Sequence, residues 1–258
     1  MAQPFVWYEL MTTDLDAALA FYADVVGWTP NRYPNGAEPY YLMMPPGEAM
    51  PAVGAMTLPE EARQNGGRPG WIGYVGVPDV DAATQEVRAA GGKVHREPAD
   101  IPDIGRFSVV ADPHGAAFCL FRANASGQNP CEQKTAPGHV GWRELYAGDA
   151  VPAFDWYAAR FGWTVDHDMD MGPMGVYRIF AVDGVVQGGV MTKPPQIPVP
   201  HWLFYFNVGS IEAALDRVKA GGGTVLNGPM DVPNGGRIAQ CMDPQGAVFA
   251  MVAPGAQG

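Results

Sequence analysis

Two carboxylates stand where a carboxylate is costly. Glu9 lies in the run FVWYELM and Glu144 in VGWRELY, each flanked by apolar and aromatic residues. On a strand, residues two apart share a face, so Trp7, Glu9 and Met11 point one way, as do Trp142, Glu144 and Tyr146, while Tyr8 and Leu10 point the other. A carboxylate in such company needs compensation. Two readings fit. In one, Glu9 and Glu144 act as acid/base groups or anchor the amine or hydroxyl of a small molecule. In the other, each forms an ion pair with a strand arginine such as Arg106, Arg178 or Arg237 and holds strands together. Substituting Glu9 by Gln separates them, since the first predicts lost function at nearly unchanged melting temperature and the second a large loss of stability.

The remaining reactive groups form no set. Cys119, Cys131 and Cys241 are odd in number and lack CxxC spacing, which favours reduced thiols over a disulfide framework or a zinc site. Nothing near Cys131 would lower its pKa, so it reads as an incidental exposed thiol. His95, His139 and His167 have no companions at metal-ligand spacing, and His114 falls in a tight turn.

The elements that carry these residues occur twice. WYELMTTDLDAALAFYADVVGWT from Trp7 matches WRELYAGDAVPAFDWYAARFGWT from Trp142 without a gap, 135 residues apart. WIGYVGVPDVDAA from Trp71 matches WLFYFNVGSIEAA from Trp202, and ADPHGAAF matches MDPQGAVF, both 131 residues apart. The second copy is therefore four residues shorter, with the deletion placed in the loop EARQNGGRPG. In each copy a strand leads to a capped helix, from Thr13-Asp14 to Val26 in the first, stopped by Gly27. Strands near 40–44 and 52–58 follow. From Trp71 the order repeats, with a helix over 79–90 and a hairpin of strands 106–111 and 116–121 turning at Asp112-Pro113-His114-Gly115. The segment ANASGQNPCEQKTAPG breaks all periodicity and reads as a linker. The expected organisation is a domain at 1–123, a linker at 124–138 and a second domain at 139–254.

Composition narrows the function. The 258 residues are 47% hydrophobic, enough for proper cores, and 33 Gly with 25 Pro favour a turn-rich, sheet-rich structure. A net charge of -11 without a Lys/Arg cluster argues against nucleic acid. The amino terminus lacks the pattern of a signal peptide and no apolar run reaches membrane-spanning length, so no membrane partner and a cytoplasmic location are expected.

The strand-to-helix join ELMTTDLDAALAFYADVVGW and the hairpin ADPHGAAFCLF, each recurring in register, resemble the signatures of the vicinal oxygen chelate superfamily of glyoxalases, bleomycin resistance proteins and extradiol dioxygenases. The resemblance covers nearly the whole chain outside the linker and ends. It implies an α+β fold of four β-α-β-β-β modules in two tandem glyoxalase-like domains, each a curved mixed sheet with helices outside and a pocket within. It also implies a divalent metal held by the first strand of each module and by the last strand. Those ligand positions fall on Trp7, Trp142, Ile72, Leu203, Cys119 and Ala250, none of them a suitable set, so no metal or other cofactor is expected. A shift of register brings in His201 at best, facing the wrong side of the sheet.

Aromatic residues occupy the pocket positions instead. Trp7, Tyr41 and Tyr74 with Cys119 in the first copy, and Trp142, Tyr146, Tyr177 and Tyr205 in the second, are expected to line a small-molecule cleft, with core packing as the alternative for any single ring. Tyr41 and Tyr177 are taken as equivalent, and Trp71 and Trp202 as the core pair. Three functions remain open. The chain binds a small organic molecule in a metal-free aromatic cup, or it is a lyase, isomerase or oxygenase of this superfamily using Glu9 and Glu144, or it is a non-catalytic interaction module. Pairing of the two copies within one chain favours a monomer, with a homodimer as the alternative.

Overall fold

The computed structural model describes residues 1–34, 38–124, 135–233 and 235–254. The first copy builds β1 (Phe5–Thr12), α1 (Leu15–Val26), β2 (Thr29–Arg32), β3 (Tyr40–Met44), β4 (Val53–Thr57) and a short α2 (Glu60–Gln64), then β5 (Gly70–Gly76), α3 (Val80–Ala89), β6 (Lys93–Ile101), β7 (Gly105–Ala111) and β8 (Ala117–Ala123). The second copy builds β9 (Val140–Ala147), α4 (Ala150–Phe161), β10 (Thr164–Asp170), β11 (Val176–Val182) and β12 (Val185–Thr192), then β13 (His201–Asn207), α5 (Ile211–Ala220), β14 (Thr224–Asp231), β15 (Arg237–Met242) and β16 (Val248–Ala253). The helix α2 occupies the EARQNGGRPG segment, which the second copy shortens. Cys131 and most of the expected linker lie outside the described residues.

Two eight-stranded mixed sheets result, ordered β2-β3-β4-β1-β5-β8-β7-β6 and β10-β11-β12-β9-β13-β16-β15-β14. Each module closes with a parallel pair, as β4 on β1 and β12 on β9, and its other pairs are antiparallel. Local chemistry sets the helices. Asp14 accepts a hydrogen bond from the Ala17 N–H at 3.1 Å and Asp79 from the Ala82 N–H at 3.0 Å, satisfying first-turn donors that the helix leaves open. Gly27 and Gly162 end α1 and α4 in the left-handed conformation, with φ of 90° and 70°, which a side chain resists.

The compact units do not follow the copies. One contains described residues of 1–7, 72–124 and 142–202, and the other those of 8–71, 135–141 and 203–254, so each takes one module from each copy. Both have an aromatic core of the same plan. In the first, Trp163 stacks on Tyr157 and Phe180 at 5.3 and 4.8 Å, with Trp202 edge-on to Tyr157. In the second, Trp28, Trp71 and Phe206 meet at 4.6–5.8 Å around Tyr22. The expectation that Trp71 and Trp202 are core residues agrees with these contacts.

A buried polar chain runs through each core. Trp202 Nε1 donates to Tyr157 Oη at 3.1 Å, which donates to Asp112 Oδ2 at 3.2 Å. Trp71 Nε1 donates to Tyr22 Oη at 2.9 Å, which donates to Asp243 Oδ2 at 3.2 Å. The Asp comes from the DPxG turn of one copy, the Tyr and Trp from the other. Burial holds both tyrosines well above their ordinary pKa, so each remains a neutral donor.

Burial also raises the Asp243 carboxyl, against the backbone N–H groups and the Tyr22 hydroxyl that lower it. The folded chain therefore keeps this proton to higher pH than the unfolded chain. Its contribution is fully present below the ordinary carboxyl value and fades as pH rises through the raised one. The stability advantage of wild type over Asp243→Asn is accordingly expected to be greatest in acid and to shrink toward neutral pH, as read from urea midpoints. An advantage that grows with pH would refute this.

Candidate functional site

Glu144 is 6% exposed on β9, and its position follows from the strand period. The register sets Glu144 beside Gly189 and Tyr146 beside Met191 across the parallel β9–β12 pair, and Tyr177 beside Met191 across β11–β12. All of these face one side of the sheet. Gly189 leaves the space that the Tyr177 ring fills, since a Cβ there would overlap the ring at Cζ and Oη. Tyr177 Oη thereby donates to Glu144 Oε1 at 2.8 Å and accepts from Trp142 Nε1 at 2.8 Å. An indole N–H can only donate, so the proton order along Trp142, Tyr177 and Glu144 is fixed, and Glu144 presents an acceptor oxygen to the chain. Burial first and Glu144 second raise the Tyr177 pKa well above its ordinary value, which keeps the hydroxyl protonated.

The arginines of the ion-pair reading are engaged elsewhere. Arg178 has the opposite parity to Tyr177 and binds Asp168 at 2.8 Å, Arg106 binds Asp81 and Asp100, and Arg237 binds Glu212 and Asp231.

In the first copy, Glu9 is 7% exposed and lies beside Gly54, as Glu144 lies beside Gly189. Tyr40 lies beside Met56, the counterpart of Met191, so Tyr40 and not Tyr41 holds the position of Tyr177. Tyr41 pairs with Ala55, which pairs with the core residue Leu10, placing it on the helix face, away from Glu9. This corrects the expected equivalence of Tyr41 and Tyr177. The second copy carries two more residues between Gly162 and Tyr177 than the first does between Gly27 and Tyr40, and the ungapped offset conceals this.

The other expected positions fall into smaller groups. Trp7 shares the Glu9 face of β1 by parity and is half-buried. Tyr74 lies beside Cys119 in the β5–β8 pair, 6% and 1% exposed, with Tyr74 edge-on to Phe121 at 6.1 Å. Tyr205, 2% exposed, accepts from Gln240 Nε2 at 3.1 Å. Tyr146 stacks on the His201 ring at 5.3 Å and 29° between planes. His201 thus reaches the Glu144 face, which corrects its expected placement on the wrong side. Its Nδ1 lies 3.1 Å from the Val199 carbonyl oxygen, an acceptor, so Nδ1 carries the proton and Nε2 an open lone pair. Burial lowers the His201 pKa, favouring the neutral ring. Sequence reasoning also passed over Gln187, 3% exposed, whose Nε2 has no hydrogen-bond partner among the described residues.

The family's ligand positions hold Trp7, Trp142, Ile72, Leu203, Cys119 and Ala250, and no group of three or more His, Cys, Asp or Glu residues suited to an ion occurs among the described residues. Among these residues, no helix is long and apolar enough to cross a membrane.

Comparison with known proteins agrees with this architecture. The chain is 37% identical over 254 residues, 97% of its own length and 95% of the relative's, to the protein named "Putative glyoxylase CFP32" from Mycobacterium tuberculosis (strain CDC 1551 / Oshkosh). It is 33% identical over 258 residues, 95% of this chain and 91% of the relative, to "Anthracycline biosynthesis protein DauV" from Streptomyces sp. (strain C5). Among solved structures, the Mn(II)-bound glyoxalase from Novosphingobium aromaticivorans shares the fold with a TM-score of 0.64 at 18% identity, covering 98% of this chain and 82% of that one. Homoprotocatechuate 2,3-dioxygenase from B.fuscum does so with a TM-score of 0.66 at 18% identity, covering 97% and 71%. The profile of the Glyoxalase/Bleomycin resistance protein/Dioxygenase superfamily matches residues 5–120 and again 137–251, and the chain belongs to that superfamily.

Proposed function

We propose that the chain binds a planar organic molecule bearing hydroxyl or amine hydrogens, held by a carboxylate against aromatic side chains and without a resident metal. The observation that carries this reading is the chain from Trp142 through Tyr177 to Glu144, which fixes a buried acceptor beside aromatic rings. Glu9, with Tyr40 in the matching register position, is the corresponding group of the first copy. The name of the anthracycline biosynthesis relative supports the ligand class, since anthracyclines are planar hydroxylated polycycles. A cytoplasmic setting is part of this reading, with Cys119 and Cys241 as buried thiols.

Glu144→Gln tests it. Loss of a charge-assisted hydrogen bond is worth about 1.5–3 kcal/mol, or roughly 10- to 100-fold in affinity. Titration of a hydroxylated arene such as 2,6-dihydroxynaphthalene, followed by tryptophan fluorescence, should show that loss with the melting temperature nearly unchanged. Unaltered affinity would remove Glu144 from the site. Stoichiometric Fe, Ni, Mn or Zn in the purified protein would overturn the metal-free reading. The glyoxylase name of the other relative favours a second, enzymatic reading with Glu9 and Glu144 as acid/base groups. Turnover of an α-oxoaldehyde that is abolished in Glu144→Gln would establish it.

A further inference from the structure

We infer that His201 supplies a second hydrogen-bond acceptor beside Glu144, and that the second copy therefore selects polycyclic arenes with hydroxyl groups on two different rings. The inference rests on the ligand reading above and extends it to one copy and one substitution pattern.

Three observations carry it. The Val199 carbonyl fixes the imidazole with its proton on Nδ1, and Nε2 makes no hydrogen bond among the described residues. The ring is held in place by stacking on Tyr146, whose side chain points to the same face as Glu144. Tyr146 lies two residues beyond Glu144, about 7 Å along the strand, and the His201 ring lies 5.3 Å from the Tyr146 ring, on the neighbouring strand. Both groups accept, so a ligand satisfying both must donate twice, from hydroxyls set apart as Glu144 and the imidazole stacked on Tyr146 are. A fused-ring system with hydroxyls at opposite ends, lying against Tyr146 and Trp142, meets these conditions.

The first copy cannot do the same. Its residue at the His201 position is Gly70, which opens β5 as His201 opens β13. The duplication has thus produced two sites with one shared carboxylate position and different second groups.

The test compares 2,6-dihydroxynaphthalene with its monomethyl ether, 6-methoxy-2-naphthol, on the full chain and on His201→Phe, which keeps a ring over Tyr146 but no acceptor. Wild type should prefer the diol by roughly tenfold, the value of one hydrogen bond. In His201→Phe the diol should fall to the affinity of the ether, while the ether is unchanged. A diol preference that persists in the variant overturns the inference and leaves the ligand reading intact. If neither naphthol binds wild type, both fall. A second measurement needs no variant: the ¹⁵N resonance of His201 Nε2 in wild type should show an unprotonated nitrogen that shifts on addition of the diol but not of the ether. An equal shift with both would overturn the inference.

Discussion

Asp112→Ala is expected to lower the melting temperature by about 10 °C. The Asp112 carboxylate is 2% exposed and accepts three hydrogen bonds, from the N–H groups of His114 and Ala116 at 2.8 and 3.0 Å and from Tyr157 Oη at 3.2 Å. Alanine removes the acceptor and leaves the donors. The Ala116 N–H and the Tyr157 hydroxyl are buried away from water, and Trp202 continues to donate into the same oxygen. Stranding buried groups in this way costs about 3–5 kcal/mol, and each kcal/mol moves the melting point of a chain this size by roughly 2–4 °C. Tyr157→Phe removes only the middle of the chain and should cost less, about 1–2 kcal/mol. Asp81, whose bond to Arg106 is exposed to solvent, provides the control, and its replacement should leave the melting temperature almost unchanged. Calorimetry on the three variants decides the matter. An Asp112→Ala shift no larger than that of the Asp81 control would mean that the turn reorganises to satisfy its donors.

The contrast between Asp112 and Glu144 shows what a single sequence yields. The duplicated blocks were legible because both copies kept their strand and helix periods, and the bounds of β3 and the caps of α1 and α3 follow from local chemistry. The exposed edge strand β2, reading TPNR, has no apolar alternation and left no trace, and α2 is too short to show a helical face. At the site, the facing of Glu9 and Glu144 followed from a period of two. Tyr40 was displaced by one residue because equivalence between copies was carried across a connection whose length had changed. His201 was misplaced by treating it as one step of register from Leu203, although a period of two sets His201, Leu203 and Tyr205 on one face. The DPxG aspartates were read as turn residues, which they are. Their second role as acceptors depends on tyrosines 45 and 221 positions away, and no local pattern announces it.

Gly189→Ala is expected to impair the second copy's site by displacing Tyr177, with Glu144 itself unaltered. Its new methyl group would overlap the Tyr177 ring, so the ring must swing away and both of its hydrogen bonds, to Glu144 and from Trp142, are lost together. Tyr177→Phe removes the same two bonds while leaving the ring in place. If the hydroxyl positions Glu144, the two variants should weaken 2,6-dihydroxynaphthalene by similar factors, about tenfold or more for the loss of a bond to a charged group. Combining them should add little, because they break one coupled chain. If Tyr177 is only an aromatic wall, Phe will bind as well as Tyr and only the glycine variant will suffer. Gly54→Ala supplies the internal comparison. The register sets Gly54 beside Glu9 as it sets Gly189 beside Glu144, so this change should leave the diol preference assigned to His201 intact. Calorimetric titration of all four proteins separates a carboxylate aimed by its neighbours from one that merely happens to be buried among them.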